Sequence, residues 1–199
     1  MKIDIILAGV GGQGILSIAA TIGYAAIESG LYLKQSEVHG MSQRGGDVQS
    51  HLRISDKEIH SDLTPQGSAD MIISVEPMES LRYLPWLSPD GWLITNSKPH
   101  INIPGYPEID LLIKEIESFP NHITLNADDI ARKLGSARSA NIVMLGAASP
   151  FIEIPYEKLE NGIKGIFGRK GDKIVNQNLD AMKAGEEFTK NYSSETSKV

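Results

Sequence analysis

Glycines at a spacing that suits phosphate binding lie near the start of the 199-residue chain. Residues 9–14 read Gly-Val-Gly-Gly-Gln-Gly, which fits the pattern G-x-G-x-x-G. The apolar run Ile3 to Ala8 before them predicts a buried parallel strand, and the apolar residues after them recur at the period of a helix. Glycines allow the backbone to approach a phosphate closely, and the unpaired N–H groups at the N-terminus of a helix favour the binding of an anion. We therefore predict a cofactor-binding turn formed by Gly9, Gly11, Gly12, Gln13 and Gly14, with a tightly packed turn that holds no ligand as the alternative.

A second candidate site is the polar segment 36–46, Ser-Glu-Val-His-Gly-Met-Ser-Gln-Arg-Gly-Gly. It has no apolar period, so we expect a loop, and loops that follow parallel strands line the ligand crevice of a doubly wound sheet. The guanidinium of Arg44 has the geometry to hold a phosphate or carboxylate, and His39 or Gln43 to orient a ligand. Because no nucleophile is in reach, the segment favours binding or a subunit contact over catalysis. A structural ion pair between Arg44 and Glu37 is the alternative.

Three other functions remain open for these motifs. A dinucleotide site would need a carboxylate about 20 residues after the glycines to bind ribose, and Glu37 lies near that place. This would make the chain an independent NAD-dependent oxidoreductase. The pair Gly11-Gly12 also resembles the nucleotide loop of adenylating enzymes, although many of those carry cysteines and this chain does not. A binding or regulatory module without catalysis is the third.

The chain contains no cysteine, and this excludes more functions than any other count. It cannot supply a thiolate nucleophile, a disulfide or the sulfur ligands of an iron–sulfur cluster. The histidines show no metal-ligand spacing, so we predict no metal site. Because no nucleophile is in reach of the polar segment, we also predict no catalytic residue in this chain. The formal charge of −6 argues against general nucleic-acid binding, and the absence of a signal peptide or apolar span favours a cytoplasmic protein.

Strands and helices alternate along the chain, which predicts an α/β, Rossmann-like doubly wound and mostly parallel sheet with a β-hairpin insertion. Leu31 to Gln35 is expected to pair beside the first strand as a βαβ unit, and a hairpin is expected to turn at Ser55-Asp56-Lys57-Glu58. The apolar run 142–148 predicts a buried helix. Residues 1–190 are predicted to form a single domain, followed by a disordered tail at 191–199.

Together, the glycine turn and the polar segment resemble the gamma-type domain of 2-oxoacid:ferredoxin oxidoreductases. The likeness extends through Glu76-Pro77, residues 81–84 and residues 141–146 to about residue 189. Gamma domains for pyruvate and 2-oxoglutarate share the G-G-Q-G turn and an Arg-Gly in the loop. The residues Glu-Val-His-Gly-Met-Ser-Gln at 37–43 favour the indolepyruvate branch.

The resemblance implies an accessory subunit, inactive alone, of a complex that oxidatively decarboxylates an aryl 2-oxo acid. A larger partner subunit would carry thiamine diphosphate, magnesium and iron–sulfur clusters, electrons would pass to ferredoxin, and coenzyme A would take the acyl group. The chain has no G-D-G motif followed by asparagine for holding thiamine diphosphate. The glycine turn would face the partner or the coenzyme A phosphates, and Glu37, His39, Ser42, Gln43 and Arg44 would border a shared cleft or interface. A homodimer of the isolated chain is also possible.

Overall fold

A computed structural model describes residues 1–39 and 46–196. The chain forms a six-stranded sheet in the order β2-β3-β1-β4-β5-β6. The strands are β1 (Lys2–Val10), β2 (Tyr32–His39), β3 (Asp47–Ser55), β4 (Ala69–Ser74), β5 (Leu87–Asn96) and β6 (His122–Leu125). The helices are α1 (Ile15–Glu28), α2 (Pro77–Arg82), α3 (Ile109–Glu117), α4 (Ala127–Lys133), α5 (Ala140–Ala148), α6 (Tyr156–Phe167) and α7 (Asp172–Thr196), with short 3₁₀ turns between some of them. None of these helices is both long and apolar enough to span a membrane.

Four strands of the sheet are parallel and two form an antiparallel edge. β1, β4, β5 and β6 run parallel, so their carboxyl ends meet at one edge of the sheet. β3 runs antiparallel to both β1 and β2. The predicted α/β fold with a mostly parallel sheet and a hairpin is therefore confirmed.

The hairpin differs in position from the prediction. It is formed by β2 and β3, with Glu37 opposite Ser50, and residues 56–68 contain no strand. β3 also lies between β1 and β2, so the predicted βαβ unit is split. Residues 36–39, predicted as loop, belong to β2 because pairing with β3 satisfies their backbone groups.

Helices cover both faces of the sheet. The larger apolar cluster joins β1 and β3 with α1 and with α4 to α7, whereas the smaller one joins Ile6, Ile72 and Leu93 to residues at α2 and α3. Helix α5 is buried from Asn141 to Ala148, as the apolar run predicts. It packs closely on α7, because a Cβ at Gly146 or at Gly185 would overlap the backbone of the other helix.

The closing helix α7 includes the first residues of the segment predicted as a tail. Helix α7 continues to Thr196, and its last turns are held by side-chain contacts. Thr189 Oγ1 donates to the carbonyl of Ala147 at 2.8 Å, and the hydroxyl of Tyr192 lies 2.8 Å from His122 Nε2. Residues beyond 196 lie outside the described part of the chain.

Candidate cofactor site at the glycine turn

The glycine turn connects β1 to α1 as the sequence predicts. Gly12 and Gly14 adopt φ angles of 98° and 80°, which are left-handed conformations that favour glycine. Gly14 is the N-cap of α1, and no side-chain hydrogen bond from the described residues caps this end of the helix. The N–H of Ser17 donates to the carbonyl of Gly14 at 3.0 Å, so an anion at this end would meet the N–H groups that precede Ser17 in the 14-residue helix.

Gln13 and Gly9 hold the turn in place. Gln13 Oε1 accepts a hydrogen bond from the backbone N–H of Val10 at 2.7 Å, and its Nε2 donates to the carbonyl of Val75 at 3.4 Å. These bonds join the end of β1 to the chain that follows β4. Gly9 lies within β1, where a Cβ would overlap the side chain of Val75. Gly9 and Gln13 thus have structural roles in addition to those of the left-handed Gly12 and Gly14.

Two clefts open beside the turn at the carboxyl edge of the sheet. The first has a volume of about 540 Å³, and the second about 410 Å³. Both are lined by Gly12, Gln13, Ala137, Arg138 and Asn141. Gly14 and Ser17 border the first cleft, whereas Asn96 and Asp128 border the second. Gly9 and Gly11 do not line either cleft.

The first cleft has two cationic side chains that the sequence did not assign to it. Arg138 lies in the short 3₁₀ turn before α5, and Lys170 ends the 3₁₀ turn that follows α6. Both side chains are exposed, and the ammonium of Lys170 lies 5.3 Å from the centre of the Phe167 ring. With the free end of α1, these groups give the cleft a positive character that suits phosphate oxygens.

The second cleft is lined by hydrogen-bonding groups. Asn96 Nδ2 donates to the carboxylate of Asp128 at 2.8 Å, and Asn96 Oδ1 accepts from the N–H of Ala127 at 3.0 Å. Asn96 is buried at the end of β5, so these bonds hold the start of α4 against the sheet. Asn126 is the N-cap of α4, and its Oδ1 accepts from the N–H of Asp129 at 2.9 Å.

A buried carboxylate, that of Glu76, lies just after the end of the neighbouring strand β4. Glu76 is fully buried and accepts hydrogen bonds from the N–H groups of Glu79 at 2.9 Å and His100 at 3.2 Å. It also accepts one from the hydroxyl of Tyr106. Burial, followed by this bond to the carboxylate, raises the pKa of Tyr106. Because Glu76 is engaged in these contacts, it holds the loop after β5 in place.

Only part of the predicted shared cleft lies within the described residues. Glu37 is exposed on the edge strand β2, where its carboxylate accepts from Gln35 Nε2 at 2.5 Å. His39 ends β2. Ser42, Gln43 and Arg44 lie outside the described residues. The carbonyl of Gly46, directly after them, accepts from the N–H of Gly11 at 2.9 Å, so this end of the segment meets the glycine turn.

The geometry does not support the dinucleotide hypothesis. A ribose-binding carboxylate would follow a strand adjacent to β1, but β3 separates β2 from β1. Two strand spacings put β2 about 10 Å from β1. In the part of the chain that the structure describes, no group of three or more His, Asp or Glu side chains is arranged to hold a metal.

Comparisons with known proteins place the chain in a family. The model of the pyruvate ferredoxin/flavodoxin oxidoreductase family matches residues 4–188. The indolepyruvate oxidoreductase subunit IorB of Archaeoglobus fulgidus is 38% identical over 93% of this chain and 94% of its own length. The IorB subunit of Methanothermobacter thermautotrophicus is 35% identical over 93% of this chain and 96% of its own.

Solved structures show the same fold. A keto/oxoacid ferredoxin oxidoreductase gamma subunit from Geobacter sulfurreducens matches 94% of this chain and 98% of its own, with 25% identity and a TM-score of 0.69. A 2-oxoglutarate:ferredoxin oxidoreductase from Magnetococcus marinus, with 2-oxoglutarate, coenzyme A and succinyl-CoA bound, matches with a TM-score of 0.75 and 22% identity. The match covers 96% of this chain but 31% of that one. By the family model and the two curated relatives, the chain belongs to the pyruvate ferredoxin/flavodoxin oxidoreductase family and is a subunit of a 2-oxoacid:ferredoxin oxidoreductase.

Proposed function

We propose that the chain is the accessory subunit of an indolepyruvate:ferredoxin oxidoreductase, inactive alone, and that its glycine turn binds the phosphates of coenzyme A. Indolepyruvate or another aryl pyruvate is the expected substrate. The residues at 37–43 and the curated IorB relatives support this choice over pyruvate or 2-oxoglutarate.

The observation that carries the coenzyme A proposal is the cleft between the N-terminus of α1, Arg138 and Lys170. Coenzyme A carries a diphosphate and a ribose phosphate, so it needs several donors and positive charges near one another. The backbone N–H groups at the start of α1 face one side of such a ligand, while the guanidinium and the ammonium offer charge-assisted hydrogen bonds on the other. The matched oxidoreductase from Magnetococcus marinus has coenzyme A bound, which supports coenzyme A as a ligand of the complex.

The residues of this chain then bind and orient coenzyme A rather than react with it. Gln13 and Asn141 hold the turn in one conformation, so that little ordering is needed when the ligand binds. The chain has no cysteine, and its described residues hold no cluster of metal ligands. Thiamine diphosphate with magnesium and the iron–sulfur clusters, when bound on the larger subunit, supply decarboxylation and electron transfer.

Glu37, His39, Ser42, Gln43 and Arg44 complete the proposal as the border of a cleft shared with the larger subunit. The hydrogen bond between Gly11 and Gly46 supports this placement, because it puts the segment's downstream end beside the coenzyme A turn. β2 is the edge strand of the sheet, and the side chain of Glu37 is exposed there.

A reconstitution experiment tests the proposed function. The chain is combined with the larger subunit encoded beside it, and coenzyme A-dependent viologen reduction is measured with indolepyruvate, phenylpyruvate, pyruvate and 2-oxoglutarate. We expect the aryl substrates to give the highest kcat/KM and either subunit alone to give none. Preference for pyruvate or 2-oxoglutarate would overturn the substrate assignment, and turnover by the isolated chain would overturn the accessory role.

A further inference from the structure

The outer face of helix α1 is apolar although it is exposed. Leu16, Ala20, Tyr24 and Ile27 follow one another at spacings of four, four and three residues, which aligns them on one side of a helix. Leu16 is 40% exposed, Tyr24 42% and Ile27 66%, and Ala20 is partly exposed. These four residues are called the α1 stripe.

The rest of α1 makes the stripe unusual. From Ile15 to Ile27 the helix contains no Asp, Glu, Lys or Arg. Its inner face is buried against the sheet and α6 by Ile15, Ile18, Ala19 and Ile22. A surface helix normally presents polar side chains to water, and a helix that is apolar all round is normally buried. Helix α1 therefore has the composition of a helix that is covered all round, yet Leu16, Tyr24 and Ile27 remain exposed.

The surroundings of the stripe have the anatomy of an interface. Gly165 of α6 lies against the ring of Tyr24, and its neighbour Ile166 is also exposed. At the far end, Glu28 accepts hydrogen bonds from Asn161 at 3.2 and 3.3 Å and lies 3.8 Å from Lys158. Protein interfaces commonly have an apolar centre and a polar rim of this kind.

We propose that the α1 stripe is the docking surface for the larger subunit of the same oxidoreductase complex. This inference rests on the proposed function. If coenzyme A binds at the glycine turn, its thiol must meet an acyl group that this cysteine-free chain has no cofactor to generate, so the larger subunit must border the same cleft. The stripe begins there, because Leu16 lies two residues after Gly14 and beside Ser17, which lines the cleft.

The same reasoning selects the larger subunit over a second copy of this chain. A second copy of this chain on the stripe would also lack cysteine. It would therefore bring no cofactor that could generate the acyl group at the cleft. In one relative the matching region is part of a longer chain. The ketoisovalerate oxidoreductase subunit VorA of Methanothermobacter thermautotrophicus matches 95% of this chain with 37% of its own length.

Charged substitutions in the stripe test the proposal. The full chain carrying Tyr24→Lys and Ile27→Lys is co-expressed with the tagged larger subunit, and the dissociation constant of the purified pair is measured. Leu111→Lys is the matched control, because Leu111 is 65% exposed on α3, away from α1. We expect the stripe variant to bind at least ten times more weakly and the control to bind like the unsubstituted chain. Unfolding curves verify that each variant is folded, and Tyr24→Ser with Ile27→Gln replaces the lysine pair if that pair does not fold.

Three results would overturn the docking proposal. They are unchanged affinity in a folded stripe variant, equal weakening by Leu111→Lys, and a homodimer of the isolated chain that the stripe variant disrupts while the heteromeric complex persists. The KM for coenzyme A, measured at saturating amounts of the stripe variant, separates this proposal from the proposed function. A raised KM in cleft variants with unchanged subunit affinity in stripe variants would refute docking and leave the coenzyme A site standing.

Discussion

The side-chain amide of Asn141 donates a hydrogen bond to the backbone carbonyl of Gly14 over 2.9 Å. This contact joins residues 127 positions apart, and Asn141 lines both clefts. Asn141 begins the buried part of α5, which α7 holds in place. The conformation of the glycine turn therefore depends on the packing of the closing helices as well as on its own residues.

Alanine substitutions in the turn should differ in cost. Gly12→Ala should lower the free energy of unfolding by about 1 kcal/mol, because a left-handed residue with a Cβ is strained and nothing lies within 4 Å of that Cβ. Gly14→Ala should cost about 1 to 3 kcal/mol more, because its Cβ would lie 2.7 Å from Asn141 Nδ2. Urea unfolding measures both.

A double variant identifies the clash. In Gly14→Ala combined with Asn141→Ala, the loss of stability should be smaller than the sum of the single losses, because the second change removes the overlapping atom. Additive losses, or equal losses for Gly12→Ala and Gly14→Ala, would contradict the described geometry.

The contact between α5 and α7 should tolerate no added methyl group. Gly185→Ala should lower the free energy of unfolding by about 3 kcal/mol, because its Cβ would overlap the carbonyl of Val143. The carbonyl belongs to the backbone of α5, so the overlap cannot be relieved by a change of side-chain rotamer. Gly168→Ala is the control, because its φ is −54° and nothing lies within 4 Å of its Cβ. The midpoints of thermal unfolding of both variants test this prediction. An unaltered midpoint for Gly185→Ala would be inconsistent with this packing.

The stability of the protein should fall in mild acid because of His51. Its Nδ1 accepts a hydrogen bond from the N–H of Thr64 at 3.1 Å, and the ring is buried. Burial, and then the positive charge of Arg53, lower the pKa of His51, while Asp4 opposes the shift. The unfolded chain therefore takes up a proton near pH 6.5, before the folded protein does, and the free energy of unfolding decreases as the pH falls further.

Removing the imidazole should reduce this dependence on pH. His51→Gln keeps an acceptor for Thr64 and has no group that titrates in this range, so its unfolding free energy should change less between pH 7 and pH 5. His60→Gln replaces an exposed histidine and should retain the full dependence. Equal slopes for the unsubstituted protein and His51→Gln, from urea titrations at each pH, would refute the role of His51.

Local sequence patterns are sufficient to predict the first strand, the glycine turn and helix α1. Their signals lie within a few residues of one another, and the structure agrees with them. The second half of β2 was missed because Glu37 and Val38 are both exposed on an edge strand, so no apolar alternation marks it. Its pairing with β3 is a tertiary effect that overrides weak local preference.

The cationic side of the cleft could not be predicted from spacing along the chain. Arg138 and Asn141 are brought to the glycine turn by the packing of α5 against α1 and α7, which no local pattern reports. The sequence partly indicates a role for Lys170 in anion binding, since Lys170 belongs to a basic run with Arg169. Only packing distinguishes a cleft residue from a solvated helix end.

The KM for coenzyme A in the reconstituted complex tests most directly whether this chain supplies the coenzyme A site. Arg138→Ala should raise that KM at least tenfold, with the KM for the 2-oxo acid unchanged, because it removes a charge-assisted contact to phosphate. Arg132→Ala is the control, because Arg132 is exposed and its guanidinium pairs with Asp129 at 2.6 Å on the surface of α4. A KM for coenzyme A that is the same in Arg138→Ala, in Arg132→Ala and in the unsubstituted complex would contradict a coenzyme A site at the glycine turn.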